Sequence, residues 1–257
     1  MKEKYQKIIS FLKKYQERTH ANGYVLGISG GKDSTVVAKL LVDAVGKENV
    51  LGVLMPNGLQ SDLHDSHKVC DLLQINRMEI NIESEFDTLI NICSATVFNS
   101  KLEPSSEYLQ ISDKAKTNIP PRIRMTTLYA IAQSLGYLVA GTGNASERFI
   151  GWFTKWGDGA CDINPIAHLT CSEVIELGDY LELPYDLVHK TPADGLTGKS
   201  DEENFGFTYT ELDALISKER KLLSTGKLSS PYTELEKKIL YMYNITRHKF
   251  IPTIINE

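Results

Sequence analysis

The sequence predicts an α/β fold, a doubly wound parallel sheet with helices on both faces and extra C-terminal helices. Three observations predict it. Short apolar runs alternate with stretches of helical spacing from Tyr24 to Gly141. The runs at 24–29, 50–55 and 137–141 are nearly continuous in apolar residues, as strands buried on both faces are. The residues of unusual chemistry fall in the loops just after strands, at Ser29–Ser34, Pro56–Asp62 and Thr142–Glu147. An open parallel sheet places its ligand crevice there, beyond the carboxyl ends of the strands.

Residues 3–17 set Tyr5, Ile8, Ile9, Leu12 and Tyr15 at helical spacing and predict an amphipathic helix. Tyr24–Ser29 is the first buried strand, a glycine turn follows, and Thr35–Val45 is helical. Val50–Met55 is the second strand, closed by Pro56 and Gly58. Asp62–Gln74 is helical, with Leu63, His67, Val69 and Leu73 for an inner face. Met78–Ile82 alternates and predicts a third strand. Ser84–Phe98 reads as a helix and 99–119 as polar and irregular. Arg122–Leu135 is a strong helix ended by Gly136, and Tyr137–Gly141 is a fourth strand. The pattern then changes. Residues 151–170 hold three Gly, two Asp, both Trp and Pro165, Cys171–Leu181 is helical, 191–207 is a glycine-rich loop, and 208–223 and 231–247 are helices. With no repeat and no low-complexity linker, one domain is expected over 1–257: a core at about 20–190, a lid at about 193–207 and C-terminal helices at about 208–249.

The 257 residues are long enough to bury a sizeable core. A net charge of −5 argues against a protein that grips nucleic acid or an anionic membrane through a basic face. No apolar run reaches the ~18 residues of a membrane span, and the polar, lysine-rich start does not read as a secretory signal. The four cysteines form no CxxC pair, so free thiols in a reducing, cytoplasmic setting are expected.

Ser29-Gly30-Gly31-Lys32-Asp33-Ser34 sits between a strand and a helix. Its glycines let backbone N–H groups approach an anion, and the helix start adds partial positive charge. Ser29 and Ser34 add hydroxyls and Lys32 a cation. Asp33 would repel a phosphate unless a metal intervened, and Mg²⁺ is the hard cation suited to that position. A strand–turn–helix corner with Ser29 or Asp33 as a cap would explain two glycines, but not the whole hexamer.

SGGKDS resembles the PP-loop signature of the N-type ATP pyrophosphatases, and not a Walker A loop. Downstream, the resemblance narrows to the ammonia-dependent NAD synthetases and runs from about Val25 to Lys249. Pro56–Asp62, Asn118–Met125 (NIPPRIRM), Gly141–Glu147 (GTGNASE), Gly151–Gly159 (GWFTKWGDG), Asp162–Pro165 (DINP), Asp201-Glu202 with Phe205–Tyr209, and His248-Lys249 are similar to that family's motifs. The resemblance implies an adenine nucleotide alpha hydrolase-like fold and ATP-dependent amidation of deamido-NAD by ammonia through an acyl-adenylate. It implies ATP binding by Gly27, Ile28, Ser29, Gly30, Gly31, Lys32, Asp33, Ser34 and Thr142, with Lys32 and Asp33 catalytic, and Mg²⁺ held by Asp33 and Glu147. It also implies substrate contacts from Arg122, Lys155, Asp162, His248 and Lys249, and a homodimer with its substrate site at the interface.

Each of these residues has a plainer reading too. Glu147 and Thr142 are of types that cap helices. Arg122 is expected to open a helix, where a cation opposes the dipole and so points to an anionic partner. Lys155 and Asp158 would otherwise form a loop salt bridge of little worth, and His248-Lys249 would be a solvated helix end. The sequence departs from the family at Cys171, where a phosphate-contacting Lys is usual, and at Ala193, where Thr or Ser is usual. Lys32, Lys190 and Lys199 are the candidates for the replacement cation. A tRNA-thiolating relative would need a basic face and paired cysteines, which are not visible. A non-catalytic nucleotide sensor is disfavoured by the presence of both Asp33 and Glu147. The length leaves no room for a glutaminase domain, so free ammonia is the expected nitrogen donor.

Overall fold

The computed structural model describes residues 1–59, 63–95, 97–98, 107–108, 110–190, 200–227 and 229–251. A four-stranded parallel sheet lies at its centre: β1 (Gly23–Gly27), β2 (Val50–Leu54), β3 (Asn76–Glu79) and β6 (Tyr137–Val139), in the order β3-β2-β1-β6. Tyr24 pairs with Val50, Leu51 with Asn76, and Gly23 with Tyr137. Val97–Phe98 (β4) and Glu107–Tyr108 (β5) form a separate antiparallel pair.

Alternation along β1 shows why its sequence is apolar throughout. Tyr24 and Leu26 enter a core made with α1 (Lys2–Thr19), α2 (Lys32–Val45) and α3 (Leu63–Leu73). Val25 enters the opposite core with Val53, Ile82, Ala132 and Val139. Both faces are therefore covered, as parallel sheets require. The chain runs outward from β1 through β2 to β3. It then crosses through α4 (Glu83–Ala95) and α5 (Asp113–Leu135) to β6, on the other side of β1. The order reverses between β1 and β6, and the crevice at such a switch point is where these folds take ligands.

Three expectations are corrected. The third strand spans 76–79 and not 78–82, and all four of its residues are exposed, because it is the sheet edge. The alternating apolar residues turn inward just after it, with Ile80 N–H donating to Leu54 O and Ile82 N–H to Pro56 O. The helix expected from Arg122 starts at Asp113, where Ser112 Oγ accepts from Ala115 N–H. It continues through buried Pro120 and Pro121, although interior prolines forfeit main-chain bonds. Arg122 therefore lies well inside the helix, and the dipole reasoning for it no longer holds. The loop expected over 191–207 is partly helical. Residues 191–199, including Ala193 and Lys199, lie outside the described residues, as do 60–62. Asp201–Phe205 forms α9, opened by a Ser200/Glu203 capping box.

The C-terminal part adds a further layer. Helices α6 (Ala145–Ile150), α7 (Cys171–Tyr180), α10 (Tyr209–Thr225) and α11 (Glu234–Thr246) share a core around Ile150, Leu212, Ile216 and Ile239. Each of the four opens with a capping box of Asn or Thr followed three residues later by Glu. Gly151 ends α6 at φ 69°, and a Cβ there would stand 2.3 Å from Thr246 Cβ, so α11 is seated directly on this turn.

Candidate active site

The loop after β1 makes a tight turn that only glycine fits. Gly30 has φ +74°, and a Cβ on it would lie 2.6 Å from Asp65 Cβ and 2.8 Å from Ser66 N. Ser29 and Ser34 lock the turn from within. Their hydroxyl oxygens are 3.1 Å apart, Gly31 N–H donates to Ser29 Oγ, and Ser34 Oγ donates to Gly31 O. Gly27 ends β1, and Ile28 N–H bonds Val53 O while its side chain stays in the core. Gly31, the N-cap of α2, offers no side chain to cap the first N–H groups of the helix, which have no acceptor within it.

Lys32 turns inward from that start and is 4% exposed. Its ammonium donates to Asp33 Oδ2 at 2.9 Å and lies 5.6 Å from the centre of the Tyr209 ring. Burial works against the charge, but Asp33, Cys171 and Glu147 outweigh it and hold the lysine pKa above its usual value. Asn144 Nδ2 holds the other oxygen of Asp33 at 3.0 Å. Asn144 is fully buried and is also the N-cap of α6, accepting from Ser146 and Glu147 N–H while Glu147 Oε2 accepts from Asn144 N–H at 2.9 Å. The plain capping role of Glu147 is thus realised, and its helix brings it beside Asp33. Burial first, and the Asp33 charge second, push its pKa well above the ordinary glutamate value.

This geometry suits a divalent cation. Two carboxylates converge, one of them pushed toward its neutral form by burial and by the charge of the other, beside the glycine turn that opens α2. Mg²⁺ typically takes only one or two carboxylates and completes its shell with water and substrate phosphates. Among the described residues no cluster of three or more His, Cys, Asp or Glu is placed to hold a metal, so the arrangement is not an all-protein cage.

The remaining predicted residues fall into other groups. Thr142 is half-buried in the loop between β6 and Asn144. Asp162 is exposed beside β6, accepting from Tyr129 Oη at 3.2 Å and from Val139 N–H at 2.8 Å. Arg122, Lys155, His248 and Lys249 gather around the 151–159 loop. The Arg122 guanidinium donates to Lys155 O, and Lys155 Nζ donates to His248 O and Ile251 O. Lys249 Nζ donates to Gly151 O at 2.6 Å and Phe153 O at 2.7 Å. The plain reading of Lys155 and Asp158 as an ion pair is not what forms. Asp158 instead accepts from Thr154 N–H.

Of the three candidate cations, Lys32 lies next to Cys171, Lys190 is paired with Asp65 at 2.6 Å, and Lys199 is outside the described residues. Cys171 is buried, and its thiol is pushed up to about 12 by burial, with Lys32 pulling the other way. Sequence reasoning passed over Asn144, Ser146, Tyr209 and Asp213. Asn144 had a readable signal, the Asn144-x-x-Glu147 capping box. Tyr209 Oη donates to buried Asp201 at 2.7 Å, and Trp152 Nε1 donates to the other Asp201 oxygen at 3.2 Å. The second half of the expected lid is thereby tied to the wall of the site.

The family model described as NAD synthase matches residues 4–252. The NH(3)-dependent NAD(+) synthetase of Thermococcus sibiricus is 40% identical over 82% of this chain and 78% of its own length. The solved structure of an NMN synthetase from Francisella tularensis superposes with TM-score 0.84 at 31% identity, covering 99% of this chain and 98% of that one. An NH3-dependent NAD synthetase from Campylobacter jejuni superposes with TM-score 0.76 at 29% identity, over 100% and 98%.

Proposed function

Because this chain belongs to the NAD synthase family, we propose roles for its residues in the reaction of that family. The chain is a ligase of NAD synthesis: ATP-dependent amidation of deamido-NAD by ammonia, giving NAD, AMP and pyrophosphate. A carboxylate oxygen of the nicotinate attacks the α-phosphorus of ATP, the bond to the β-phosphate oxygen breaks, and pyrophosphate leaves. Ammonia then attacks the acyl carbon of the adenylate and loses a proton to solvent as the bond to AMP breaks. Neither step needs a protein nucleophile, so catalysis rests on positioning and on charge at the α-phosphate.

The observation that carries the residue roles is the contact of Asp33 with buried Lys32 and buried Asn144 at the phosphate loop. Lys32 supplies the fixed cation for the phosphates in place of a lysine at 171, and the loop N–H groups of 30–34 bind phosphate oxygens. Asp33 and Glu147 hold Mg²⁺, which when bound neutralises phosphate charge. Thr142 contacts the nucleotide, and Arg122, Lys155, Asp162, His248 and Lys249 form the side that receives deamido-NAD. The chain over 1–257 acts as one domain, in which Asp201 ties α9 to Tyr209 and Trp152.

We assign a homodimer because α4 has no buried residue and exposes Leu89 and Ile92 beside α5. Light scattering at micromolar concentration reads it directly. Four free thiols favour a reducing compartment, the cytoplasm. Among the described residues no helix is long and apolar enough to cross a membrane. Pyrophosphate release that requires ATP, Mg²⁺, deamido-NAD and ammonium together is the expected result, with glutamine failing to replace ammonium. Release independent of the dinucleotide overturns the reading.

A second reading changes only the acceptor. The match to the Francisella NMN synthetase favours a mononucleotide acceptor. Nicotinate mononucleotide in place of deamido-NAD in the same assay separates the two by their kcat/KM.

A further inference from the structure

Helix α10 carries a buried carboxylate that the reaction above does not use. Asp213 is 8% exposed and reaches two other helices. It accepts from Ser146 Oγ, from Ser172 N–H at 2.8 Å and from Ser172 Oγ at 2.7 Å. Ser146 Oγ has no freedom left, because it also accepts from Cys171 N–H at 2.8 Å. Ser146 is fully buried and directly precedes Glu147. Its own N–H and that of Glu147 go to Asn144 Oδ1, and Asn144 Nδ2 holds Asp33. Through the frames of Ser146 and Asn144, a line of hydrogen bonds therefore runs from α10 across the start of α6 to Asp33 of the phosphate loop and to Glu147 of α6.

Helix α6 has only six residues. A helix of that length does not hold itself in water, so its position depends on what grips it. Its N-terminal end is gripped by Asn144 from below and by Asp213 through Ser146 from the side. Tyr209, one turn before Asp213 on the same face of α10, lies against Lys32. One helix face thus touches the cation and, through Ser146, the acid of the same site.

We propose that Asp213 is a positioning residue: by holding Ser146 it fixes Glu147 at the distance from Asp33 that a divalent cation with ATP requires. The inference rests on the assignment of Asp33 and Glu147 to that cation. Asp213→Asn keeps the shape but replaces one acceptor oxygen by an amide N–H₂ and removes the charge that Ser146 Oγ, Ser172 Oγ and Ser172 N–H now donate to. Ser146→Ala removes the link with a smaller change to the fold.

The test uses the full chain with Mn²⁺ and ATP, reading free Mn²⁺ by electron paramagnetic resonance. Both single variants are expected to bind Mn²⁺ about tenfold more weakly, the size seen when an outer partner of a metal ligand is lost. The double variant is expected to bind no more weakly than Asp213→Asn, because both changes break one link. Leu12→Ala, on the buried face of α1, is expected to lower Tm without moving Mn²⁺ affinity. If Asp213→Asn does not fold, Ser146→Ala decides alone. Variants that bind within about twofold of wild type overturn the inference and leave the assignment of Asp33 and Glu147 standing. A wild-type chain that binds no Mn²⁺ with ATP overturns both.

Discussion

Lys32 and Lys249 are both drawn out of solvent, yet their environments push them in opposite directions. Lys32 faces carboxylates, and they hold its pKa up despite its burial. Lys249 faces the carbonyls of Gly151 and Phe153, and burial lowers its pKa although Asp158 works against the fall. Neutral dipoles satisfy a cation's hydrogen bonds without replacing its lost hydration in full, whereas carboxylates also balance its charge. The two regions differ accordingly. At the phosphate loop, charge is balanced against charge that a bound cation and nucleotide would rearrange. At the 151–159 loop, Lys155, Arg247 and Lys249 spend their donors on main-chain carbonyls and bind the C-terminal segment to the molecule. A lysine among carboxylates is poised for an anion, while a lysine among carbonyls is first a structural staple.

The largest test of this contrast is Asp33→Asn. It removes a carboxylate that meets both Lys32 and Asn144 while keeping the shape. Loss of several kcal/mol of charge stabilisation predicts a fall of about a thousandfold in the rate of pyrophosphate release, with a lower Tm as well because buried Lys32 loses its hydrogen-bonded carboxylate. Lys32→Gln is next. Loss of one fixed donor at the reacting phosphate predicts a fall of about a hundredfold in kcat. The contrast breaks if Lys32→Gln loses stability and keeps its rate.

The parts of the molecule with the strongest periodicity were the parts legible in sequence. The buried strands β1 and β2 and the helices α1, α2, α3, α7, α10 and α11 announce themselves because one rule, burial, sets their residues. The phosphate loop was legible because its glycines and charges have no other common use together. The miss at α5 came from Pro120 and Pro121, which normally mark a helix start, whereas here a Ser112 cap and tertiary packing carry the helix through them. The misses at α6 and α9 came from their length, too short for periodicity to register, although their capping boxes were written in the sequence. Asp213 could not be read in advance. Its partners lie on two other helices, and nothing local distinguishes it from a solvated acid on an amphipathic helix.

Lys249→Met sharpens the contrast from the other side. It removes two charged hydrogen bonds to the carbonyls that follow α6. Hydrogen bonds to charged groups contribute about 1.5–3 kcal/mol each at most, and less where solvent reaches, so a loss of about 2 kcal/mol in denaturant unfolding is expected. If the staple is the main role, KM for the dinucleotide rises along with that loss, and raising the substrate concentration restores kcat. A kcat loss at saturation as large as that of Lys32→Gln would erase the difference between the two regions.

The smallest effect has the least intuitive sign. Glu147 has a pKa above the ordinary glutamate value in the folded chain, chiefly from burial and then from Asp33. Above the ordinary value the unfolded chain ionises this group freely, while the folded chain holds its proton or carries a disfavoured charge. The folded state therefore binds more protons in that window, and the stability due to this group is full at low pH and lost as pH rises toward the folded value. Glu147→Gln removes the charge and keeps an oxygen to accept the Asn144 N–H of the capping box. Without metal at neutral pH the variant is expected to melt higher than wild type, with the gap closing below about pH 4, where the unfolded carboxyl is also protonated. Added Mg²⁺ with ATP should raise the Tm of wild type and leave that of the variant behind, since only wild type presents both carboxylates to the cation. A variant that melts lower than wild type at neutral pH without metal would mean that Glu147 serves the fold first, as Lys249 does.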